Sequence, residues 1–313
     1  MRYNIEIEVK MTHYQLITKN KRKSWLVMII FIIFVLGSSY IISYGFGYGL
    51  DVVAMALIIA GVMSFSSYWW SDKMILGISG AKPANRQEYF DFYTVAENIV
   101  SGQRMPMPKL YVINDTAMNA FATGRDPRHA AVVATTGLLQ NLTRSEIEGV
   151  VAHELSHVQN YDIRLMSIVT ILVGMIALLA DMMLRMSAFG GGRRRDDGGG
   201  QFQIIFFAVG LILVLLSPLI AKLIQLAVSR SREFLADASA VQMTRNPAGL
   251  INALQKISTD TEPLEAANKA TAHLYFTNPL KNHQHDGISW FAKLFQTHPP
   301  ISERIAALKV VRG

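Results

Sequence analysis

The 313-residue sequence predicts a mainly helical α+β membrane protein with about four transmembrane helices and a small β-sheet. One observation is composition: 51% of the residues are hydrophobic and only 17% are charged, which is too apolar for an ordinary soluble domain. The other is distribution, because the apolar residues are clustered in runs long enough to cross a bilayer. Polar stretches with short β-rich segments separate these runs. The absence of cysteine excludes disulfides and thiolate ligands, so any metal must use His, Asp or Glu.

The first predicted membrane unit is a helical hairpin over residues 25–71, preceded by a cytoplasmic segment of residues 1–24. Its two spans are Trp25 to Tyr44 and Val52 to Trp70, each about the length of a bilayer crossing. Basic residues flank the hairpin on both sides and are missing from its connecting loop, so the positive-inside rule places both flanks in the cytoplasm. A cleaved signal peptide is the alternative for the first run. A second apolar run follows soon after and there is no A-x-A cleavage site, which disfavours that alternative.

The net charge is +7, and the basic residues behind it are distributed as in a membrane protein. Four basic residues come directly before the first apolar run: Lys19, Lys21, Arg22 and Lys23. No basic stripe is interleaved with aromatic residues, as it is in proteins that bind single-stranded nucleic acids. The sequence therefore predicts a lipid bilayer as a partner and no nucleic acid.

Residues 72–162 are predicted to form the first half of a soluble domain. Two segments rich in Val, Ile, Tyr and Thr, Lys109 to Asn114 and Ala130 to Thr136, are predicted strands. Thr143 and Glu146 have the spacing of a capping box, in which the first residue of a helix and the residue three positions later cap each other. A helix is therefore expected to begin near Thr143 and to run without proline past residue 157.

A second membrane hairpin is predicted over residues 163–226, with apolar runs at 165–184 and 202–221 and a Gly/Arg-rich loop at 190–200. Two charged residues near the end of its first run leave a buried core helix as an alternative. The arginines of the loop would lie outside the cytoplasm, against the usual charge bias, so the hairpin either crosses the bilayer or dips into it. Residues 227–313 are predicted to be the second half of the soluble domain.

The segment from His153 to His157 is an H-E-x-x-H motif inside the predicted capped helix. Residues four positions apart lie one above the other on a helix, so both imidazoles can hold one Zn²⁺. Glu154 then faces the open side of the metal, where it can act as general base on water. The sequence therefore predicts a metal site with His153 and His157 as ligands.

A catalytic zinc ion needs a third protein ligand, for which we select Glu233, in a predicted helix after the second hairpin. Asp237 lies one turn further along this helix and can accept a hydrogen bond from the second nitrogen of a ligand histidine. The alternative for both residues is a helix with solvated charges.

Together these motifs resemble the HtpX-type membrane metalloproteases, which are gluzincins related to the CAAX prenyl proteases. The resemblance covers nearly the whole chain, and the matching segments are residues 119–124 (NAFATG), 135–139 (TTGLL), 150–162 (VVAHELSHVQNYD), 231–240 (SREFLADASA) and 297–305 (THPPISERI). It implies a zincin-like catalytic domain split by membrane segments, with one zinc ion. It further implies an endopeptidase of the cytoplasmic membrane that degrades misfolded or membrane-associated proteins on the cytoplasmic side.

The resemblance also implies roles for residues outside the metal site. The strand at Ala130 to Thr136 would be the sheet edge that binds substrate, through Val132, Val133 and Ala134. His298 and Arg304 would face the cleft and stabilise the transition state; the alternative is structural, with Arg304 paired to an acid. Asn119 would either contact the substrate backbone or cap a turn.

Two other functions share the predicted ligand set. Processing of prenylated CAAX peptides is disfavoured because such enzymes enclose a chamber built from more than four spans. A non-catalytic scaffold with a structural zinc ion is disfavoured by Glu154, because a structural site needs no general base and closes its fourth position with a protein ligand.

Overall fold

The computed structural model describes residues 13–46, 49–189, 230–260, 262, 264, 274–276 and 299–310. These ranges are mainly helical and contain one small sheet, as the sequence predicts. The helices are α1 (His13–Phe46), α2 (Leu50–Trp69), α3 (Ser71–Ile78), α4 (Phe90–Gln103), α5 (Thr136–Asn141), α6 (Arg144–Gln159), α7 (Asp162–Phe189), α8 (Arg230–Thr244), α9 (Pro247–Thr259) and α10 (Ile301–Val310). The strands are β1 (Lys82–Pro83), β2 (Lys109–Ile113), β3 (Ala120–Gly124) and β4 (Ala130–Thr135).

The four strands form one mixed sheet in the order β1-β2-β4-β3. Strands β2 and β4 are parallel, whereas β1 pairs with β2 and β3 pairs with β4 in the antiparallel sense. The two predicted strands are confirmed as β2 and β4, each one residue shorter at its C-terminal end. Strands β1 and β3 were not predicted from the sequence.

The prediction that β4 is the edge strand is wrong. Val132 pairs with Leu110 of β2 on one side and with Ala122 of β3 on the other, so β4 is an inner strand. Val132, Val133 and Ala134 are buried and their main-chain groups are engaged by neighbouring strands. An unbroken apolar segment is typical of a strand covered on both faces, and the two edge strands are β1 and β3.

Strand β4 contributes to two hydrophobic cores, one on each face of the sheet. Val132 and Ala134 belong to a core formed with α4, α6 and α9. Ala131 and Val133 belong to a second core formed with α1, α3 and α7. Since successive side chains of a strand point to opposite faces, one short strand links the two cores.

Helix α1 is the clearest candidate for a membrane span. Within the described residues, Ile17–Tyr40 alone is long and apolar enough to cross a bilayer by itself. Val53–Trp69 and Ser71–Ile78 pass the same test only as a pair, bent by 81°. Residues 202–221, the fourth predicted span, lie outside the described residues, so the number of four spans stays a prediction.

The first half of α7 is packed inside the protein. Its apolar side chains at Leu165, Ile168, Val169 and Leu172 are at most 1% exposed and belong to the core shared with α1. This part of the third predicted span therefore contacts protein, as a core helix or an inner membrane helix does.

Candidate active site

Helix α6 presents both histidines of the H-E-x-x-H motif to the inside of the protein. It begins at Arg144 behind the predicted capping box, in which the Glu146 carboxylate accepts a hydrogen bond from the Thr143 N–H at 2.7 Å. His153 and His157 are 1% and 5% exposed. The helix lies so close to α9 that a Cβ atom at Gly149 would stand only 2.7 Å from the Leu250 backbone nitrogen.

Glu233 of α8 joins the two histidines, as the sequence predicts. The Nε2 atoms of His153 and His157 are 3.2 Å apart, and the Glu233 carboxylate oxygens lie 3.7 and 3.6 Å from them. Two ligands on one tetrahedral zinc ion stand about 3.4 Å apart, given metal–ligand distances of about 2.0 to 2.1 Å. The three donors therefore have the spacing needed to hold a single divalent ion, and Glu233 is itself buried.

The other nitrogen of His153 is held by Asp237, the residue that the sequence places one turn after Glu233. The distance from His153 Nδ1 to the Asp237 carboxylate is 2.9 Å. Arg304 donates two hydrogen bonds to the same carboxylate, at 2.8 and 2.6 Å. Burial and then the positive charge of Arg304 lower the pKa of His153 to about 4. His153 is therefore neutral at pH 7, which is the form that binds a metal.

His157 has a partner that was not predicted from the sequence. Its Nδ1 lies 3.0 Å from the Asp162 carboxylate, and that carboxylate is paired with Arg232 at 3.0 Å. Burial alone would lower the pKa of His157. The hydrogen bond to Asp162 and the carboxylates of Glu233, Asp162 and Glu154 override burial and raise the pKa to about 9. Each histidine thus has the same support, a carboxylate that is itself paired with a buried arginine.

Glu154 lies between the two histidines on α6 and is 3% exposed. Its negative charge is one of the contributions that raise the pKa values of His157 and Arg304. A buried carboxylate on the helix that carries the two histidines is a candidate general base.

Two further predicted residues make contacts inside the protein, and their roles in catalysis and substrate binding stay predictions. Arg304 is fully buried and its guanidinium contacts Asp237, the Phe276 carbonyl and, at 3.3 Å, Nδ1 of His153. The Asn119 side-chain oxygen accepts the N–H of Ala120 at the start of β3, at 3.1 Å. His298, the other predicted catalytic residue, lies outside the described residues.

The outer edge of β3 passes near the two histidines and is partly covered by the chain itself. The Phe276 N–H donates to the Ala120 carbonyl at 2.8 Å. The Phe276 ring also packs edge-on against the His153 ring, with 4.9 Å between the ring centres. Further along, the Gly124 N–H donates to the Ser167 hydroxyl of α7. No local sequence pattern predicts this cover, because residues far apart in the chain form it.

A helix with H-E-x-x-H, a third carboxylate from a separate helix and a small sheet beside them define the gluzincin class of metallopeptidases. The comparison with known families agrees, since the model of Peptidase family M48 matches residues 89–312. The chain belongs to this family and is a metalloprotease, so the resemblance to HtpX-type proteases is confirmed.

Known relatives span almost the whole chain. A "Protease HtpX homolog" of Thermoanaerobacter pseudethanolicus is 40% identical over 95% of this chain and 97% of its own length. A protein of the same description from Streptococcus pneumoniae is 44% identical over 94% of this chain and 98% of its own length. The crystal structure of S. mikatae Ste24p has a TM-score of 0.45 and 19% identity, covering 94% of this chain and 67% of that one. This last likeness is too distant to inform the site.

Proposed function

We propose that the protein is a zinc-dependent endopeptidase of the cytoplasmic membrane that cleaves misfolded or membrane-associated proteins. The observation that carries the proposal is the convergence of His153, His157 and Glu233 beside Glu154. Two imidazoles and one carboxylate, with one position left for water or substrate, form the usual donor set of a catalytic zinc site. Carboxylate-rich sites for Mg²⁺ or Ca²⁺ have different ligands.

Zinc, when bound, supplies a Lewis acid that polarises the scissile carbonyl and makes water more acidic. The chain supplies the proton transfers. Glu154 accepts a proton from the attacking water and then donates it to the nitrogen of the leaving amine. Asp237 and Asp162 accept the Nδ1 protons of the two histidines, which keeps each Nε2 lone pair directed at the ion.

Substrate recognition is proposed to use the outer edge of β3 and not β4. A peptide added there as a strand gains main-chain hydrogen bonds, which depend little on sequence and require an extended chain. Phe276 already bonds the Ala120 carbonyl on this edge, so a substrate strand would replace that contact when it binds. This mode of binding suits unfolded segments, because only they offer an extended backbone.

The membrane position is proposed from helices α1 and α2. Large apolar side chains on both helices face outward, among them Ile29, Ile33, Ile58 and Val62 at 50 to 64% exposure. Such a surface is matched by lipid acyl chains. The exposed Trp25, Trp69 and Trp70 mark one end of the pair, as an interfacial aromatic belt does.

The same helices give a proposed orientation. Asn20, on the basic N-terminal side of the first span, contacts Asp162 beside the metal site. The active site therefore lies at the basic end of α1, which the positive-inside rule assigns to the cytoplasm.

The test is a comparison of Glu154→Gln with the wild-type protein, purified in detergent and loaded with zinc. We expect about one zinc per chain in both proteins and at least a roughly 100-fold loss of casein cleavage in the variant, since general acid–base catalysis contributes about that much or more. Glu148→Gln, on the same helix and outside the site, is the matched control and should cleave normally. Undiminished cleavage by Glu154→Gln would reject the mechanism.

Further outcomes address the alternatives. Glu233→Ala should lose both zinc and activity, and an unchanged zinc content would remove Glu233 from the ligand set. Cleavage of a prenylated peptide with casein left intact would favour CAAX processing. Bound zinc with no cleavage of either substrate would favour a structural metal site.

A further inference from the structure

Asn20 is a buried polar residue on the first apolar helix, far from the catalytic motifs in sequence. It is 3% exposed and its side-chain amide makes two hydrogen bonds across the fold. The Nδ2 atom donates to the Asp162 carboxylate at 2.7 Å and to the Asn160 carbonyl at 2.9 Å. A membrane helix thus reaches into the loop between the H-E-x-x-H helix and α7.

These contacts complete a closed polar network behind His157. One oxygen of Asp162 lies 3.0 Å from His157 Nδ1. The other oxygen receives Asn20 and Arg232, and Arg232 also contacts the Asn20 side-chain oxygen at 3.3 Å. Asn20 therefore touches both groups that hold His157 in place without touching His157 itself.

The backbone of this loop also depends on α1. Tyr161 has a φ of 59°, a left-handed conformation that bulky side chains rarely adopt. This turn brings Asp162 back toward His157, only five residues earlier in the chain. Lys21 of α1 lies over the Tyr161 ring, 4.4 Å from its centre, next to the Asn20 contacts. Helix α1 thus contacts the turn at three consecutive residues, 160–162.

The two histidines differ in where their support originates. The support of His153 comes from Asp237 on α8 and Arg304 on α10, both within residues 89–312 that match the family model. The support of His157 includes a residue of α1, which lies outside that region. Residues 89–312 therefore contain each group named here that supports His153, but they lack Asn20, which supports the groups behind His157.

We propose that Asn20 is a positioning residue for the metal ligand His157, so that the metal centre is complete only when α1 is docked on the catalytic domain. The proposal rests on the proposed function, in which His157 binds zinc. With the amide of Asn20 on one oxygen, the other oxygen of Asp162 stays in line with the Nδ1 proton of His157. This arrangement fixes the tautomer and the ring direction, which determine how well Nε2 meets the ion.

The experiment uses the full chain in detergent micelles, with zinc affinity measured by competition against a fluorescent chelator. Asn20→Ala removes the donor, and Asn20→Asp replaces it with a second carboxylate facing Asp162. We expect zinc affinity to fall roughly 10-fold in the first variant and up to roughly 100-fold in the second, the range typical for groups that orient a metal ligand. Ser24→Ala is the matched control, because Ser24 is also buried and, among the described residues, its hydroxyl donates to the Asn20 carbonyl of its own helix.

Two further measurements separate positioning from simple packing. The visible spectrum of the Co²⁺-loaded protein should change in both Asn20 variants and stay unchanged in Ser24→Ala, because it reports ligand geometry. The double variant Asn20→Asp with Asp162→Asn restores one carboxylate and one amide, and it should recover zinc affinity relative to Asn20→Asp alone. This recovery tests the proposal even where a single variant folds poorly.

An Asn20→Ala protein with a lower melting temperature, unchanged zinc affinity and an unchanged Co²⁺ spectrum would overturn the proposal and assign Asn20 to packing alone. Failure of the wild-type protein to bind zinc would instead reject the proposed function. The two failures are therefore distinguishable in one set of measurements.

Discussion

The buried ion pair between Arg304 and Asp237 allows a sharp test of what Arg304 does. Its two hydrogen bonds, at 2.8 and 2.6 Å, join side chains that are 1% and 3% exposed. Arg304→Met keeps much of the apolar stem and leaves the Asp237 carboxylate without its cationic partner, with His153 as its remaining contact. Breaking a buried pair in this way costs about 3 to 5 kcal/mol, because an unpaired charge stays in a medium of low polarity.

Arg86 is a matched control, since it also forms a two-bond pair with a carboxylate, that of Glu97, at 2.6 and 2.9 Å. The difference is exposure, because these side chains are 59% and 36% exposed. Water screens the pair, so Arg86→Met should cost only about 0 to 1 kcal/mol. Both pairs have similar hydrogen-bond geometry, so a difference in stability loss between the two variants reports the effect of burial.

The assay is thermal unfolding of the detergent-solubilised protein at pH 7. Each kcal/mol lowers the melting temperature by about 2 to 4 °C for a domain of 150–250 residues, so Arg304→Met should lose roughly 6 to 20 °C. Arg86→Met should lose a few degrees at most. An unchanged melting temperature in Arg304→Met with a large fall in kcat would refute the structural role and restore the transition-state role that the resemblance implies.

Two further predictions follow from the site. Because the raised pKa of about 9 keeps His157 protonated at pH 7, zinc binding should release about one proton there, and the apparent affinity should rise about tenfold per pH unit up to pH 9. Calorimetry in two buffers of different ionisation enthalpy measures this release, and equal heats would contradict it. Gly149→Ala should destabilise the protein by about 1 to 3 kcal/mol, because its Cβ would overlap the Leu250 backbone. Gly102→Ala, on helix α4 with none of the described atoms within 4 Å of its added Cβ, should stabilise by up to about 1 kcal/mol in the same melting assay, because Ala is the better helix former.

The sequence predicted the parts of the site that depend on local spacing. The capping box and the four-residue interval brought His153 and His157 to one helix face, and Glu233 with Asp237 repeated this spacing on α8. The structure places all four residues together. Local periodicity was sufficient here because each helix needs only its own residues to define its faces.

The sequence did not predict features that depend on distant contacts. Asp162 reaches His157 through a left-handed turn at Tyr161, and no local pattern specified that conformation. Asn20 meets Asp162 across 142 positions of the chain. Strand β3 escaped prediction because its Ala- and Gly-containing sequence lacks the β-branched enrichment of β2 and β4. The edge assignment of β4 came from the family resemblance, and the position of β3 beside β4 overturns it.

Because side chains alternate along β4, helix α1 and the catalytic helix α6 pack against opposite faces of the same strand. Val133 is fully buried and belongs to the core shared with α1. Val132, the preceding residue, belongs to the core formed with the catalytic helix α6. A fragment cut to begin at residue 89 would lose α1, α2 and α3 and uncover apolar surface on the sheet itself. Helices α1, α2 and α3 are therefore built into the protease fold, and we expect that trimming the chain to residue 89 does not yield a stable soluble fragment.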